Sequence, residues 1–217
     1  MRRATTMRRA LTALGLFAAS VIATGCAGTT DDQATTETLQ PPVTDKQPEF
    51  FGVGGTAEKI AYVIDRSGSM TDTFPAVKAE LRRSIRMLRP NQRFYTVFYS
   101  SGPAVELPAR KMVPATEANK LNAYEFIDAI VPVGQTHPEE ALRMAFAAKP
   151  TIVYLMTDGE FNRTVVALID KLNADRKVTV NTICVVYNSG EQVLREIARK
   201  NGGQYVHVAQ KDLTTQP

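Results

Sequence analysis

The sequence of 217 residues is poor in cysteine and in histidine, with only two of each. Two cysteines cannot form a network of disulfides. Cys184 lies in the apolar run Val180–Val186, which predicts a buried strand, and a small core side chain is its simplest role. If Cys26 is modified in another way, Cys184 has no disulfide partner, so packing must hold the fold together.

The scarcity of histidine limits the enzyme classes that the chain could belong to. Hydrolysis by a serine nucleophile needs a histidine base that a carboxylate holds in place. His137 with Asp158 could serve Ser67 or Ser69 in this way, but the sequence has no Gly-x-Ser-x-Gly motif. Two-metal hydrolases gather more carboxylates and histidines than this chain does. We therefore predict that the protein is not an enzyme and keep a metal-dependent hydrolase as an alternative.

The sequence also lacks a basic patch, despite a formal net charge of +4 and a pI of about 9.1. Four of its 26 basic residues, Arg2, Arg3, Arg8 and Arg9, are the only charged residues before Cys26. The other 22 basic residues balance the 22 acidic ones, so the chain after Cys26 is formally neutral. Because phosphate backbones are bound by clustered positive charge, we expect no nucleic acid partner.

The uncharged stretch Ala10–Ile22 is too short to span a bilayer comfortably as a permanent helix. Basic residues precede it and small residues follow it, which predicts a signal peptide over residues 1–25. Cys26 stands directly after Gly25, as the modified cysteine does in a bacterial lipobox, although such boxes usually carry leucine where this chain has Ala23. We therefore expect a lipid on Cys26, an exported location in the cell envelope and a lipid anchor in a membrane.

Two other routes for the N-terminal segment stay open: signal cleavage without lipidation, and twin-arginine export through Arg8-Arg9. After Cys26, the sequence up to about Pro48 consists largely of polar residues and proline, which cannot bury enough apolar surface to fold. We predict a flexible tether over residues 26–56, a globular domain over residues 57–209 and a short C-terminal tail over residues 210–217.

The globular part alternates segments that favour strands with segments that favour amphipathic helices. Strands are predicted at 60–64, 93–99, 104–107, 151–156, 179–186 and 204–208, and helices at 74–88, 118–130, 138–147, 161–172 and 191–200. In the helix at 118–130 we expect Leu121, Tyr124, Phe126 and Ile127 to be buried. The alternation predicts a doubly wound α/β fold, with a mostly parallel six-stranded sheet, helices on both faces and 104–107 as a short antiparallel edge strand.

Polar residues follow two of the predicted strands at their carboxyl ends, where ligands bind in such sheets. Asp65, Ser67 and Ser69 alternate after the first strand, and Asp158 follows the strand at 151–156. Thr136 lies in a loop before a helix and could add a hydroxyl at the same edge. Carboxylate and hydroxyl oxygens suit a hard cation such as Mg²⁺, Mn²⁺ or Ca²⁺.

The order Asp-x-Ser-x-Ser, then a distant Thr, then Asp-Gly resembles the metal-ion-dependent adhesion site of von Willebrand factor type A (VWA) domains. The resemblance covers about residues 57–209. It implies a divalent cation, Mg²⁺ before Mn²⁺ or Ca²⁺, held by Asp65, Ser67, Ser69, Thr136 and Asp158. It further implies that an Asp or Glu carboxylate of a partner protein completes the coordination, with no small-molecule substrate. A scaffold VWA domain without metal-dependent binding is the other alternative.

Overall fold

The computed structural model describes residues 49–54, 56–159 and 161–213. The predicted signal peptide, Cys26 and most of the predicted tether lie outside these residues. The elements are, in chain order, β1 Glu49–Phe50, β2 Val53–Gly54, β3 Lys59–Asp65, α1 Phe74–Met87, β4 Arg93–Tyr99, β5 Val105–Glu106, β6 Val113–Pro114, α2 Glu117–Ala129, α3 Glu139–Ala147, β7 Ile152–Thr157, α4 Thr164–Leu172, β8 Thr179–Val185, α5 Glu191–Lys200, β9 Tyr205–Val208 and α6 Gln210–Leu213.

The main sheet has the strand order β5-β4-β3-β7-β8-β9, and its five long strands are parallel. The predicted doubly wound α/β fold is therefore confirmed. At one edge, β5 pairs antiparallel with β4, as predicted, and so does β6, which was not predicted. The chain leaves β3 towards β4 on one side and reaches β7 on the other, so β3 and β7 form the switch point of the sheet.

Successive apolar side chains of each strand point to opposite faces of the sheet, so both faces are covered by core residues. This is expected for strands that are buried on two sides. On one face, Tyr62 and Ile64 pack with residues of α1 and α2. On the other face, Ala61 and Val63 pack with residues of α3, α4 and α5. No helix in the described part of the chain combines the length and the apolar character needed to cross a bilayer.

The first element that the structure describes is the hairpin of β1 and β2, which lies within the region predicted to be a flexible tether. Its two-residue turn places Phe51 and Gly52 at φ +49° and +75°, as a tight turn between antiparallel strands requires. Phe50 and Val53 are fully or almost fully buried, and the Phe50 ring packs edge-on against Tyr62. The folded domain therefore begins by Glu49 and not at residue 57.

A charge pair between buried Glu80 and half-buried Arg83 attaches this hairpin to α1. The backbone N–H of Phe51 donates to Glu80 Oε1 at 2.7 Å, and Arg83 donates to both Glu80 oxygens at 2.6 and 2.7 Å. Arg83 also contacts Glu49 at 3.2 Å. Glu80 is 2% exposed, so the bidentate contact from Arg83 supplies the hydrogen bonds that its burial requires.

Two further predictions about the domain need correction. Leu121 on α2 is 59% exposed, because α2 instead turns Lys120, Ala123 and Ile127 inward. The Lys120 ammonium donates to the Arg86 carbonyl and to Glu117, which satisfies it while its stem is buried. The tail predicted at 210–217 begins with α6, whose Leu213 is buried in the core.

Candidate metal centre

The two aspartates lie at the carboxyl ends of neighbouring parallel strands. Asp65 is the last residue of β3, and Asp158 directly follows β7. Ile64 pairs with Met156 in the register of these strands, so Asp65 lies beside Thr157. The structure thus places both aspartates at the switch point of the sheet, as the sequence predicted.

Asp65 is fully buried, and hydrogen bonds hold both of its oxygens. Its Oδ1 accepts the Ser67 backbone N–H at 2.7 Å, and its Oδ2 accepts the Thr157 hydroxyl at 2.7 Å. Burial raises the pKa of Asp65 to about 6, and these hydrogen bonds act in the opposite direction. The Asp65 carboxylate therefore orients the start of the loop that carries Ser67 and Ser69.

Asp158 uses only one of its two carboxylate oxygens in hydrogen bonds. Ser69 Oγ donates to Asp158 Oδ1 at 3.0 Å, and Ser67 Oγ lies 3.1 Å from Ser69 Oγ. Asp158 Oδ2 is buried and has no hydrogen-bond partner. Burial also raises the pKa of Asp158. A buried carboxylate oxygen without a partner is unfavourable, and a cation among these oxygens would satisfy it.

The loop that carries Thr136 is joined to the loop after β3 by backbone hydrogen bonds. The Gly68 N–H donates to the Gly134 carbonyl at 2.8 Å, and the Val133 N–H donates to the Arg66 carbonyl at 2.7 Å. Gly134 has φ +77°, and a Cβ there would lie 2.4 Å from Ser101 Oγ, so another residue would strain this turn and displace the Ser101 side chain.

Thr136 itself lies against the loop after β7. Its Oγ1 is 3.8 Å from the position that a Cβ on Gly159 would take, immediately after Asp158. The structure therefore brings all five predicted residues to one place: Asp65, Ser67, Ser69, Thr136 and Asp158.

Thr157 is a site residue that the sequence reasoning missed. Its hydroxyl bridges the two strands, since it donates to Asp65 and accepts the Gly159 N–H at 3.0 Å. The sequence offered one indication of this role: Thr157 is a hydroxyl residue at the end of a predicted strand and directly precedes Asp158. Its partner could be identified only from the register of β3 with β7.

The donor set at this site consists of oxygen atoms. Within residues 49–54, 56–159 and 161–213, no group of three or more His, Cys, Asp or Glu side chains could hold a metal. A cation here would therefore depend on hydroxyl oxygens beside the two carboxylates. That composition favours a hard cation over zinc or copper.

A comparison with protein families decides the class of the chain. The family model of the von Willebrand factor type A domain matches residues 59–216. The chain belongs to the VWA family. The VWA match begins at the first residue of β3 and includes every strand of the main sheet.

Individual relatives share the domain rather than the whole protein. The human von Willebrand factor A domain-containing protein 3B is 29% identical over 150 residues, which cover 67% of this chain but 11% of the human protein. A von Willebrand factor type A protein from Catenulispora acidiphila superposes with a TM-score of 0.63 at 21% identity, over 73% of this chain and 40% of that one.

A further similar structure was solved with a metal in its own metal-ion-dependent adhesion site (MIDAS). Proximal thread matrix protein 1 from the mussel byssus, solved with a zinc-occupied MIDAS motif, superposes with a TM-score of 0.58 at 20% identity. The alignment covers 72% of this chain and 42% of the mussel chain. At these identities the two solved structures show a shared fold.

Proposed function

We propose that this VWA domain binds a divalent cation and, through it, an acidic residue of a partner protein. Asp65, Ser67, Ser69, Thr136 and Asp158 would hold the cation, with Mg²⁺ preferred and Mn²⁺ or Ca²⁺ as other choices. The observation that carries the proposal is the buried Asp158 Oδ2, which has no hydrogen-bond partner although the hydroxyls of Ser67, Ser69 and Thr136 lie in the two neighbouring loops.

The donor set explains why the cation could still bind a carboxylate from outside the chain. Two carboxylates balance the charge of a divalent cation, and the hydroxyls of Ser67, Ser69 and Thr136 add oxygen without adding charge. When bound, the cation supplies a Lewis-acid position that accepts an oxygen from a partner protein. Asp65 and Thr157 hold the first loop in position, and Gly68 and Gly134 join it to the second.

The mussel structure supports a divalent cation in this motif, although its ion is zinc. Zinc sites in proteins usually include cysteine or histidine, whereas the donors here are oxygen atoms. We therefore assign Mg²⁺ first for this chain.

The proposal predicts metal-dependent capture of partner proteins. Immobilised wild-type protein should retain partners from an extract in Mg²⁺ and release them in EDTA, and an Asp65→Ala bait should not retain them. Mass spectrometry of the eluates provides the measurement. Retention of the same proteins in EDTA and by Asp65→Ala would contradict the proposal and favour the scaffold alternative.

The site geometry gives no support to a hydrolase with a serine nucleophile. Ser67 and Ser69 hydrogen-bond to each other, and Ser69 donates to Asp158, so neither hydroxyl is paired with an imidazole base. We propose that the domain is a binding module and not an enzyme.

We also propose that the protein is exported and anchored in the cell envelope through a lipid on Cys26. The support is the basic, apolar and small-residue order of residues 1–25. Mass spectrometry of the protein purified from membranes should find diacylglycerol on an N-terminal Cys26, and Cys26→Ser should release the protein from the membrane fraction. An unmodified N-terminus beyond Cys26 would contradict the anchor.

A further inference from the structure

Four large apolar side chains are exposed among the residues that the structure describes. Val131, Val133 and Tyr187 are 65%, 51% and 60% exposed, and Leu121 is 59% exposed. Isolated exposed apolar residues are ordinary on protein surfaces. Three of these four, however, lie in loops at the carboxyl edge of the sheet, where the candidate metal centre is. We call Val131, Val133 and Tyr187 the apolar rim.

Val131 and Val133 belong to the loop that carries Thr136, on the side of the site towards β4. The Val133 N–H donates to the Arg66 carbonyl at 2.7 Å, and Arg66 Nη1 donates to the Val131 carbonyl at 3.3 Å. Arg66 in turn donates its backbone N–H to the Tyr99 carbonyl at 2.9 Å. These contacts attach both valines to the loop of Ser67 and Ser69.

Tyr187 lies on the other side of the site, in the loop after β8. The Cys184 thiol donates to the Tyr187 carbonyl at 2.7 Å, and Cys184 pairs with Thr157 at the end of β7. Tyr187 is therefore next to the loop of Asp158. The apolar rim thus borders the candidate metal centre on both sides.

We infer that the apolar rim binds apolar side chains on both sides of the acidic residue that the partner presents. This inference rests on the proposed function. The two sides of the rim are two to three strands apart, or about 10–14 Å at the usual strand spacing, which four residues of extended chain also span. The partner is therefore a protein segment with apolar residues about two positions before and after its Asp or Glu.

Peptide selection on the immobilised full chain tests this inference. The probes are two phage-displayed libraries of nine-residue peptides, one with a fixed central Glu and one with a fixed central Gln, with all other positions randomised. Bound phage are eluted with EDTA and sequenced. On wild type in Mg²⁺, the Glu library should be recovered above the Gln library and should be enriched in apolar residues about two positions from Glu.

Two variant baits distinguish the contribution of the apolar rim to peptide binding from that of the metal centre. With Val131→Ser, Val133→Ser and Tyr187→Ser combined, recovery of apolar-flanked Glu peptides should fall about tenfold, because burial of apolar surface is lost. Leu121→Ser should leave the recovery of these peptides unchanged. Leu121 is equally exposed but lies near Lys120, which contacts Arg86 at the far end of α1. The rise in melting temperature with Mg²⁺ should persist in the triple variant, which shows that it is folded and loaded.

Two results would overturn the inference in different ways. If wild type recovers the Glu library in Mg²⁺ without any preference at the flanking positions, the rim has no such role and the proposed function stands. If the Glu library is recovered no better than the Gln library, the proposed function fails, and this inference fails with it. The flanking preference of wild type is informative even if the triple variant does not fold.

Discussion

Excess Mg²⁺ is expected to raise the melting temperature of the wild-type protein by about 5–10 °C, and Asp158→Asn is expected to abolish this rise. At a free ion concentration a hundredfold above Kd, binding adds about 2.7 kcal/mol to the free energy of unfolding. In a domain of this size each kcal/mol corresponds to about 2–4 °C. Differential scanning calorimetry with Mg²⁺ and with EDTA measures the rise.

In the absence of metal, Asp158→Asn and Asp65→Asn should differ in their free energy of unfolding. Asp158→Asn replaces a buried carboxylate that has one unpaired oxygen, so the metal-free protein should be as stable as wild type or more stable. The amide of Asp65→Asn has one acceptor oxygen and cannot accept hydrogen bonds from both Ser67 and Thr157. Its free energy of unfolding without metal should therefore fall by about 1–3 kcal/mol, and its melting temperature should no longer respond to Mg²⁺. NaCl at matched ionic strength controls for screening. A full Mg²⁺ response in Asp158→Asn would contradict the proposed coordination.

Phe50→Ala is expected to lower the free energy of unfolding by about 3–5 kcal/mol, which is the usual cost of deleting a fully buried aromatic side chain. Phe50 contacts the rings of Tyr62 and Tyr154 with centroids 5.4 and 5.7 Å away. The substitution would leave a cavity between the hairpin and the sheet. Urea denaturation measures the loss, and the midpoint should fall without a large change in the m-value.

Two controls make this experiment specific. Phe50→Leu, which keeps most of the apolar volume, should cost clearly less, and Leu121→Ala at an exposed position should change stability by no more than about 0.5 kcal/mol. Phe50→Ala should still respond to Mg²⁺, because the hairpin contacts α1, Tyr62 and Tyr154, which are not residues of the candidate metal centre. If Phe50→Ala lowered the free energy of unfolding no more than Leu121→Ala does, the hairpin would not belong to the folded domain.

The long strands and helices were predictable because their own residues determine them. The aromatic and β-branched run of β4 and the amphipathic helix α5 were predicted to the residue, at Arg93–Tyr99 and Glu191–Lys200. The hairpin was missed because its few apolar residues follow a polar, proline-rich stretch, and its turn places Phe51, instead of Asn or Asp, at positive φ.

Tertiary contacts account for the other differences. The apolar residues of α2 do not form one stripe, so packing against α1 decided that Lys120 faces inward and Leu121 outward. At the candidate site, the resemblance of the five oxygen-bearing residues to the VWA motif predicted a common position, and the structure places them in neighbouring loops. The Thr157 contact with Asp65 depends on strand register, which the sequence does not reveal.

The hairpin also places Glu49 and the candidate metal centre at opposite edges of the sheet. Glu49 pairs with Gly54, and Ala57 and Lys59 contact Gln92 and Thr151 at the amino edge of the sheet. Asp65 lies at the opposite edge, at the end of the seven residues of β3. Seven strand residues span about 20 Å. A surface or fusion partner attached directly at Glu49 would therefore meet the domain at the edge of the sheet opposite the candidate metal centre.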